Sequence, residues 1–504
     1  MIAPGPEDFR RAYEAGRPQV VWTTRLGDLD TPVGAALKLG AGKDNLFLFE
    51  SVEGGAARGR YSIIGLRPDL VWQARGEKAE RLSPGRPPSP EPDGTLASLR
   101  RLVAESRVAM PKALPRMAAG LFGYMSYDTV RLMERLGEPN PDGLGVPDAV
   151  FVRPSVVLVF DGVKDEIAIV TPVYPRADVA AHAAYEAAVQ RLAEVADALE
   201  RPLPHPEPAA ELEALPPPSS NTTHEEYLAM VERAKEYIRA GDVFQVVPSQ
   251  RFSVPFALPP FALYRALRRI NPSPYLFYLT FAGHAVVGSS PEILVKVEDG
   301  KVTVRPIAGT RPRGASREED EALKAELLAD PKEHAEHLML LDLGRNDVGR
   351  VAEIGTVRVT ESFTIEEYSH VMHIVSNVEG RLKAGEDALS ALIAGFPAGT
   401  VSGAPKVRAM EIIDELEKEK RCVYAGAVGY FAADGSMNTC IALRTALVKD
   451  GRLYVQAGGG VVADSVPEAE YQETVNKAKA LFRAAEEAVR FATEHRRSQW
   501  PQRS

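Results

Sequence analysis

The sequence predicts an α+β fold in which antiparallel strands dominate and helices lie over them. Strand-like runs recur in pairs around Asp-Gly steps at Asp161-Gly162, Asp299-Gly300, Asp434-Gly435 and Asp450-Gly451, the pattern of antiparallel hairpins. Residues 405–420 and 468–492 carry long helical patterns suited to covering sheet faces. Hairpins on this scale argue against a doubly wound parallel sheet.

Along the chain, residues 82–94 (LSPGRPPSPEPDG) read as a loop within the N-terminal half. Residues 153–159 and 166–170 read as adjacent strands, and the Ala/Glu-rich stretch 179–200 as a helix. Residues 201–220 contain seven prolines, each of which removes an N–H and fixes φ, so regular structure fails there. Thr223 with Glu226 three residues on forms a capping-box pattern, and Gly241 supplies the stop after Ala240. Strands are then expected at 284–288, 293–297, 301–305, 425–432, 438–447 and 453–457. This organisation gives an N-terminal α+β region (1–200), a Pro-rich linker (201–222), a strand-rich C-terminal region (223–492) and a polar tail (493–504).

The bulk properties exclude several classes. The formal net charge of -9, with no basic block beyond short clusters such as Arg496-Arg497, makes nucleic acid a poor partner. Apolar runs such as Val156–Phe160 are too short to span a bilayer, so no membrane association is expected. The opening Met1-Ile2-Ala3-Pro4 lacks the basic flank and apolar core of a signal peptide. Two cysteines, Cys422 and Cys440, support neither a disulfide scaffold nor a thiolate metal cage. The cytoplasm is the expected compartment.

Two acidic pairs stand out. Glu333 and Glu336 share one helical face, as do Glu470 and Glu473 near the start of the last long helix. Four converging carboxylates would repel one another unless a cation or protons intervened, and oxygen-only ligands suit Mg²⁺. Such pairs are also common on solvated helix faces, and early acidic residues favour the helix dipole in any case. His334 and His337 lack the partners a zinc site requires.

Two small-residue stretches are candidates for binding. Phe396–Pro405 carries the Thr400 and Ser402 hydroxyls into a helix whose N–H groups would suit an anion or simply begin a helix. Gly458-Gly459-Gly460 permits close backbone approach to a ligand or a bulge. Arg444, read as lying in a strand facing these glycines, would make a carboxylate clamp or an ordinary sheet-face arginine.

Taken together, GDVFQVVPSQ (241–250), SSPEIL (289–294), RPIAGTRPRG (305–314), PKEHAEHLMLLDLGRNDVGR (331–350), FPAGTVSGAPKVRAMEII (396–413) and GGGVVADSVPEAEYQETVNKAKA (458–480) resemble the chorismate-utilising enzymes. The resemblance is dense over residues 225–490. It implies large antiparallel sheets packed face to face with helices outside. Water-using members carry a lysine base in the GDVFQ block, where this chain has Gln245. Aminodeoxychorismate synthases typically carry lysine in a PIKGT block, where this chain has Ala308. Both positions resemble the anthranilate synthase large-subunit branch, which implies conversion of chorismate and ammonia to anthranilate and pyruvate. A component of aminodeoxychorismate synthase and a non-catalytic chorismate sensor are the alternatives.

The resemblance further implies Mg²⁺ held directly by Glu336 and Glu473, with Glu333 and Glu470 acting through water or by supporting the direct ligands. It places Thr400, Tyr424, Arg444, Gly458, Gly459, Gly460 and Lys477 around the substrate carboxylates. Glu292 is expected to protonate the departing 4-hydroxyl, with His373 beside it. Glu50-Ser51, Pro274-Tyr275 and Tyr430 are similar to a tryptophan feedback element, with Glu50 on the effector's ammonium. Ammonia would come from a separate glutamine amidotransferase subunit, in a heterodimer or a heterotetramer of two of each. Cys422 and Cys440 stand in strand-like contexts without the glycines of a nucleophile loop.

Overall fold

The computed structural model of the protein describes residues 1–53, 57–204, 214–368 and 371–498. Residues 205–213 of the Pro-rich segment thus lie outside the described residues, as do residues 54–56 and the last six residues.

Two runs of antiparallel strands diverge from one long strand, Ala149–Asp161. One run passes through Ala57–Arg75, Phe47–Glu53, Tyr275–Phe281, His284–Ser290, Thr445–Lys449, Arg452–Gly458 and Ser249–Pro255. The other passes through Gly120–Met125, Ala427–Ala432, Met437–Ile441, Ile293–Glu298, Lys301–Val304 and Val371–Arg381. Phe277, Val286 and Leu447 of the first run share one buried core with Phe122, Val428 and Cys440 of the second. The two runs are therefore layers packed face to face, as expected for apolar alternation on each inner face.

Helices cover the outer faces. Ala181–Glu200, Pro260–Ile270 and Pro467–Ser498 pack on the first layer, and Pro331–Val351 and Ala388–Gly395 on the second. The last helix continues to Ser498, through the start of the tail expected from residue 493. Strands from either side of the Pro-rich segment pair directly, Phe47–Glu53 with Tyr275–Phe281 and Gly120–Met125 with Ala427–Ala432. The two sequence halves thus share one sheet system.

Local signals are realised where the chemistry is local. Thr223 and Glu226 form both bonds of the capping box on the helix His224–Ala240, and Gly241 closes it in the left-handed conformation at φ 85°. Asp299 and Gly300 both adopt positive φ, 51° and 72°, in the hairpin turn between Ile293–Glu298 and Lys301–Val304.

The expected strand 438–447 is broken. Met437–Ile441 belongs to the second layer and Thr445–Lys449 to the first. The chain crosses between layers at Ala442-Leu443-Arg444, with Arg444 at φ 47°. A second crossing lies alongside it, at Pro291-Glu292 between His284–Ser290 and Ile293–Glu298. The two crossings are hydrogen-bonded to each other, Ser289 N–H to the Arg444 carbonyl and Ile441 N–H to the Glu292 carbonyl. This paired switch of layers brings Glu292 and Arg444 to one place.

Candidate active site

A cavity of about 1410 Å³ opens beside the paired crossings. Glu292, Arg444, His373, Thr400, Tyr424, Gly458, Gly460, Lys477, Gln245 and Ala308 all line it, together with Glu333, Glu336, Glu470 and Glu473. Gly459 lies just behind the wall, its N–H bonded to the Pro248 carbonyl.

Glu292 is 6% exposed, and Thr400 Oγ donates to its two carboxylate oxygens at 3.3 and 3.2 Å. Burial pushes this carboxyl up to about 8, against the opposing pull of the bonds from Thr400 and the Ile307 backbone. At neutral pH it carries a proton, as a general acid must.

His373, in the strand Val371–Arg381, places Nδ1 3.0 Å from the Gly309 carbonyl and 3.1 Å from Thr310 Oγ. Burial lowers its pKa, and the nearby Arg444 charge adds to this. The ring is neutral, and because a carbonyl only accepts, Nδ1 carries the proton and Nε2 remains an acceptor. Tyr368 packs edge-on against this ring at 5.5 Å and donates its hydroxyl to Glu366 at 2.7 Å. Sequence reasoning missed Tyr368. Its place directly before the SHVMH stretch was the only signal.

Arg444 does not sit in a strand as expected; the layer switch holds it in a left-handed turn. Burial lowers its pKa, and no hydrogen bond or ion pair among the described residues engages its guanidinium. A half-buried guanidinium facing a cavity without a partner is a receptor for a carboxylate.

Of the two readings of the helix start at Lys406, the contacts found there favour a plain helix entry. Pro405 occupies the N-cap of Lys406–Leu416, and Lys406 is buried against Asp347 at 2.9 Å. Ser402 Oγ is engaged by the Ala398 carbonyl at 2.8 Å. The preceding turn Gly399–Val401 presents Thr400 to the cavity instead.

The acidic pairs face each other from two helices. Asp330 caps the helix Pro331–Val351 and orients Glu333 and Glu336 on its first turns. Glu470 and Glu473 project from the start of Pro467–Ser498. Burial raises the pKa of Glu336, with the Glu333 and Glu473 charges adding to it; burial raises that of Glu470, with Glu473 adding. Glu336 accepts a bond from Gln245 Nε2 at 3.0 Å, Glu333 pairs with Arg311 at 3.2 Å, and Glu473 pairs with Lys477 at 2.6 Å. Among the described residues no three acidic, His or Cys groups lie close enough to enclose a metal unaided. Carboxylates from two helices, close enough that the Glu473 charge acts on Glu336, fit a hard cation that takes few protein ligands and completes its shell with water and substrate.

The glycine run makes this packing possible. A Cβ on Gly460 would stand 2.8 Å from Gln245 Nε2, one on Gly459 3.0 Å from Glu470 Oε2, and one on Gly458 2.8 Å from the Tyr424 hydroxyl. Lys477 Nζ donates to the Gly458 carbonyl at 2.9 Å.

The expected effector residues form a second cluster outside the cavity lining. Ser51 stands opposite Tyr275 across neighbouring strands, and Asn438 lies against both Tyr275 and Tyr430. Pro274 adjoins Tyr275 at the strand start. Glu50 is 6% exposed and holds Arg268 through two bonds at 2.6 and 2.8 Å. The loop leading to this cluster, Asn271-Pro272-Ser273, reaches the cavity wall.

The sequence pattern of the chorismate binding enzymes matches residues 52–483. The chain is 60% identical over 490 residues to anthranilate synthase component 1 of Cereibacter sphaeroides, covering 96% of this chain and 98% of that one. It is 48% identical to the protein of the same name from Thermus thermophilus, covering 92% and 97%. Among solved structures it is similar to anthranilate synthase component I from Streptococcus pneumoniae, with a TM-score of 0.74 and 40% identity over 84% of this chain and 92% of that one. The menaquinone-specific isochorismate synthase from Escherichia coli, at 19% identity and a TM-score of 0.71, shares the fold.

Proposed function

Because the chain belongs to the chorismate binding enzyme family, we propose that it is an enzyme that converts chorismate and ammonia to anthranilate and pyruvate, as the synthase component of a tryptophan-forming route in the cytoplasm. The observation that carries this reading is the meeting, at one cavity, of Glu292, whose carboxyl burial raises to about 8, and Arg444, whose guanidinium has no partner among the described residues. A dianionic substrate that must lose hydroxide needs both a cationic anchor and an acid.

Arg444 binds one substrate carboxylate, and the Gly458–Gly460 backbone lets that group approach closely. Ammonia attacks C2 of the ring as the C4–O bond breaks, and Glu292 gives its proton to the departing oxygen, which leaves as water. His373, held by Gly309 through Nδ1, presents Nε2 as an acceptor beside this locus. The aminated ring then loses its C2 proton and expels the enolpyruvyl group as pyruvate, driven by aromatisation. Glu336 and Glu473 would hold Mg²⁺ directly and Glu333 and Glu470 through water. When bound, the cation offsets the ring carboxylate's charge and withdraws electrons from the ring.

The structure of the nucleophile wall favours ammonia over water. Gln245 replaces a base with an amide that already donates to Glu336, and Ala308 offers no side-chain amine. Ammonia comes from a separate glutamine amidotransferase subunit, in a heterodimer or a heterotetramer of two of each. Burial raises both thiols, that of Cys440 to about 12, and neither lines the cavity, which supports a glutaminase on another chain. Tryptophan is the feedback effector at the Ser51–Tyr275 cluster, where its ammonium would share Glu50 with Arg268. Supplying the purified chain with chorismate, Mg²⁺ and ammonia tests the activity: one pyruvate should be released for each chorismate consumed.

A further inference from the structure

We propose that Arg421 and Glu417, neither of which faces the cavity, are positioning residues for this site: their buried ion pair fixes Val247, Val401 and Tyr424 in one frame. The inference rests on the function proposed above.

The geometry is that of a hub. Arg421 is 2% exposed and Glu417 8%. One guanidinium nitrogen of Arg421 donates to the Val401 carbonyl at 2.7 Å and another to the Val247 carbonyl at 2.6 Å. Glu417 accepts from the Arg421 Nε at 2.9 Å and also from the Ser249 N–H and hydroxyl at 2.9 and 2.8 Å. The guanidinium lies 5.5 Å from the centre of the Tyr424 ring. Val247, Val401 and Tyr424 all line the cavity, while Arg421 and Glu417 do not.

A buried ion pair is a weak source of stability, because desolvation offsets most of its attraction. Its value here lies in direction. The planar fork of an arginine reaches a carboxylate and two carbonyls at fixed angles, which the point charge of a lysine cannot do. The segment it anchors also needs holding: Cys422 and Ala425, on either side of Tyr424, sit at φ 53° and 63°. Such residues keep left-handed conformations only where their surroundings over-determine them. On the far side, Val401 adjoins Thr400, whose bond to Glu292 works against the effect of burial on that carboxyl. Freeing Val401 would loosen this bond.

The test compares Arg421→Lys, Glu417→Gln and Ser249→Ala in the full chain, with chorismate, Mg²⁺ and ammonia. Arg421→Lys and Glu417→Gln should melt cooperatively yet lose about a hundredfold in kcat/KM. In both, the alkaline limb of kcat that Glu292→Gln removes should move to higher pH. Ser249→Ala, which takes one hydroxyl from Glu417, should move the limb in the same direction by less. Lower melting temperatures with kcat/KM and limb unchanged would overturn the proposal and leave the pair as a stabilising contact only. If the first two variants fail to fold, wild-type kcat/KM and an unmoved limb in Ser249→Ala would overturn it. Absence of turnover in the wild type would count instead against the proposed function.

Discussion

Thr400 donates its hydroxyl to both carboxylate oxygens of Glu292, at 3.3 and 3.2 Å, within a wall that otherwise denies that carboxyl solvent. Burial wins over the bond, and Glu292 titrates at about 8. As an acid it works when protonated, so kcat should be flat below this value and fall as pH rises through it. Glu292→Gln should lower kcat by about 10²–10⁴ and abolish the alkaline limb. Thr400→Val removes an interaction that lowers the Glu292 pKa, so its limb should move to higher pH. Steady-state rates across pH for the three proteins check these outcomes.

Arg444→Met should raise the KM for chorismate by about tenfold or more, the loss expected for a charge-assisted hydrogen bond. Arg444→Lys restores the charge without the fork and should recover only part of the loss. A KM unchanged in both variants would place the substrate carboxylate elsewhere.

Glu336→Gln and Glu473→Gln should each nearly abolish turnover at limiting Mg²⁺. The two carboxylates face one another across the cavity, and each loss removes a ligand. Mg²⁺ titration of the apoprotein by calorimetry gives a readout independent of activity: binding should weaken in both. Normal Mg²⁺ affinity and near-normal rates would move the cation to other residues.

Ser51→Phe should relieve tryptophan inhibition while leaving ammonia-dependent rates largely intact. The Ser51 hydroxyl donates to the Tyr61 carbonyl at 3.3 Å, and even a Cβ on Gly59 would come within 2.0 Å of it. A phenyl ring therefore displaces its surroundings. Loss of a buried polar contact should weaken tryptophan by about tenfold or more. Calorimetric titration separates the cases: equal tryptophan affinity in both proteins would remove Ser51 from the effector site.

Local chemistry was legible in the sequence and long-range direction was not. The capping box at Thr223 and the Asp299-Gly300 turn depend on a few adjacent residues, and the structure has both. Spacing puts each acidic pair on one helix face, but only the resemblance tied these pairs and the Gly458–Gly460 run to a common site, where the four carboxylates, Gly458 and Gly460 line the cavity. The break at Ala442–Arg444 was invisible, because residues 438–447 favour strand throughout and only the demands of two packed layers force the chain across. The burial of Glu50 was hidden for a related reason: its partner Arg268 lies 218 residues away. The contacts of Arg421 were hidden in the same way, since the Val247 carbonyl it holds lies 174 residues away.

The most direct measurement is the identity of the product formed from chorismate, Mg²⁺ and ¹⁵N-ammonia by the purified chain. The account predicts anthranilate carrying one ¹⁵N and an equal amount of pyruvate, with no product when glutamine replaces ammonia. A labelled product that keeps its enolpyruvyl group, or chorismate bound and recovered unchanged, would contradict it.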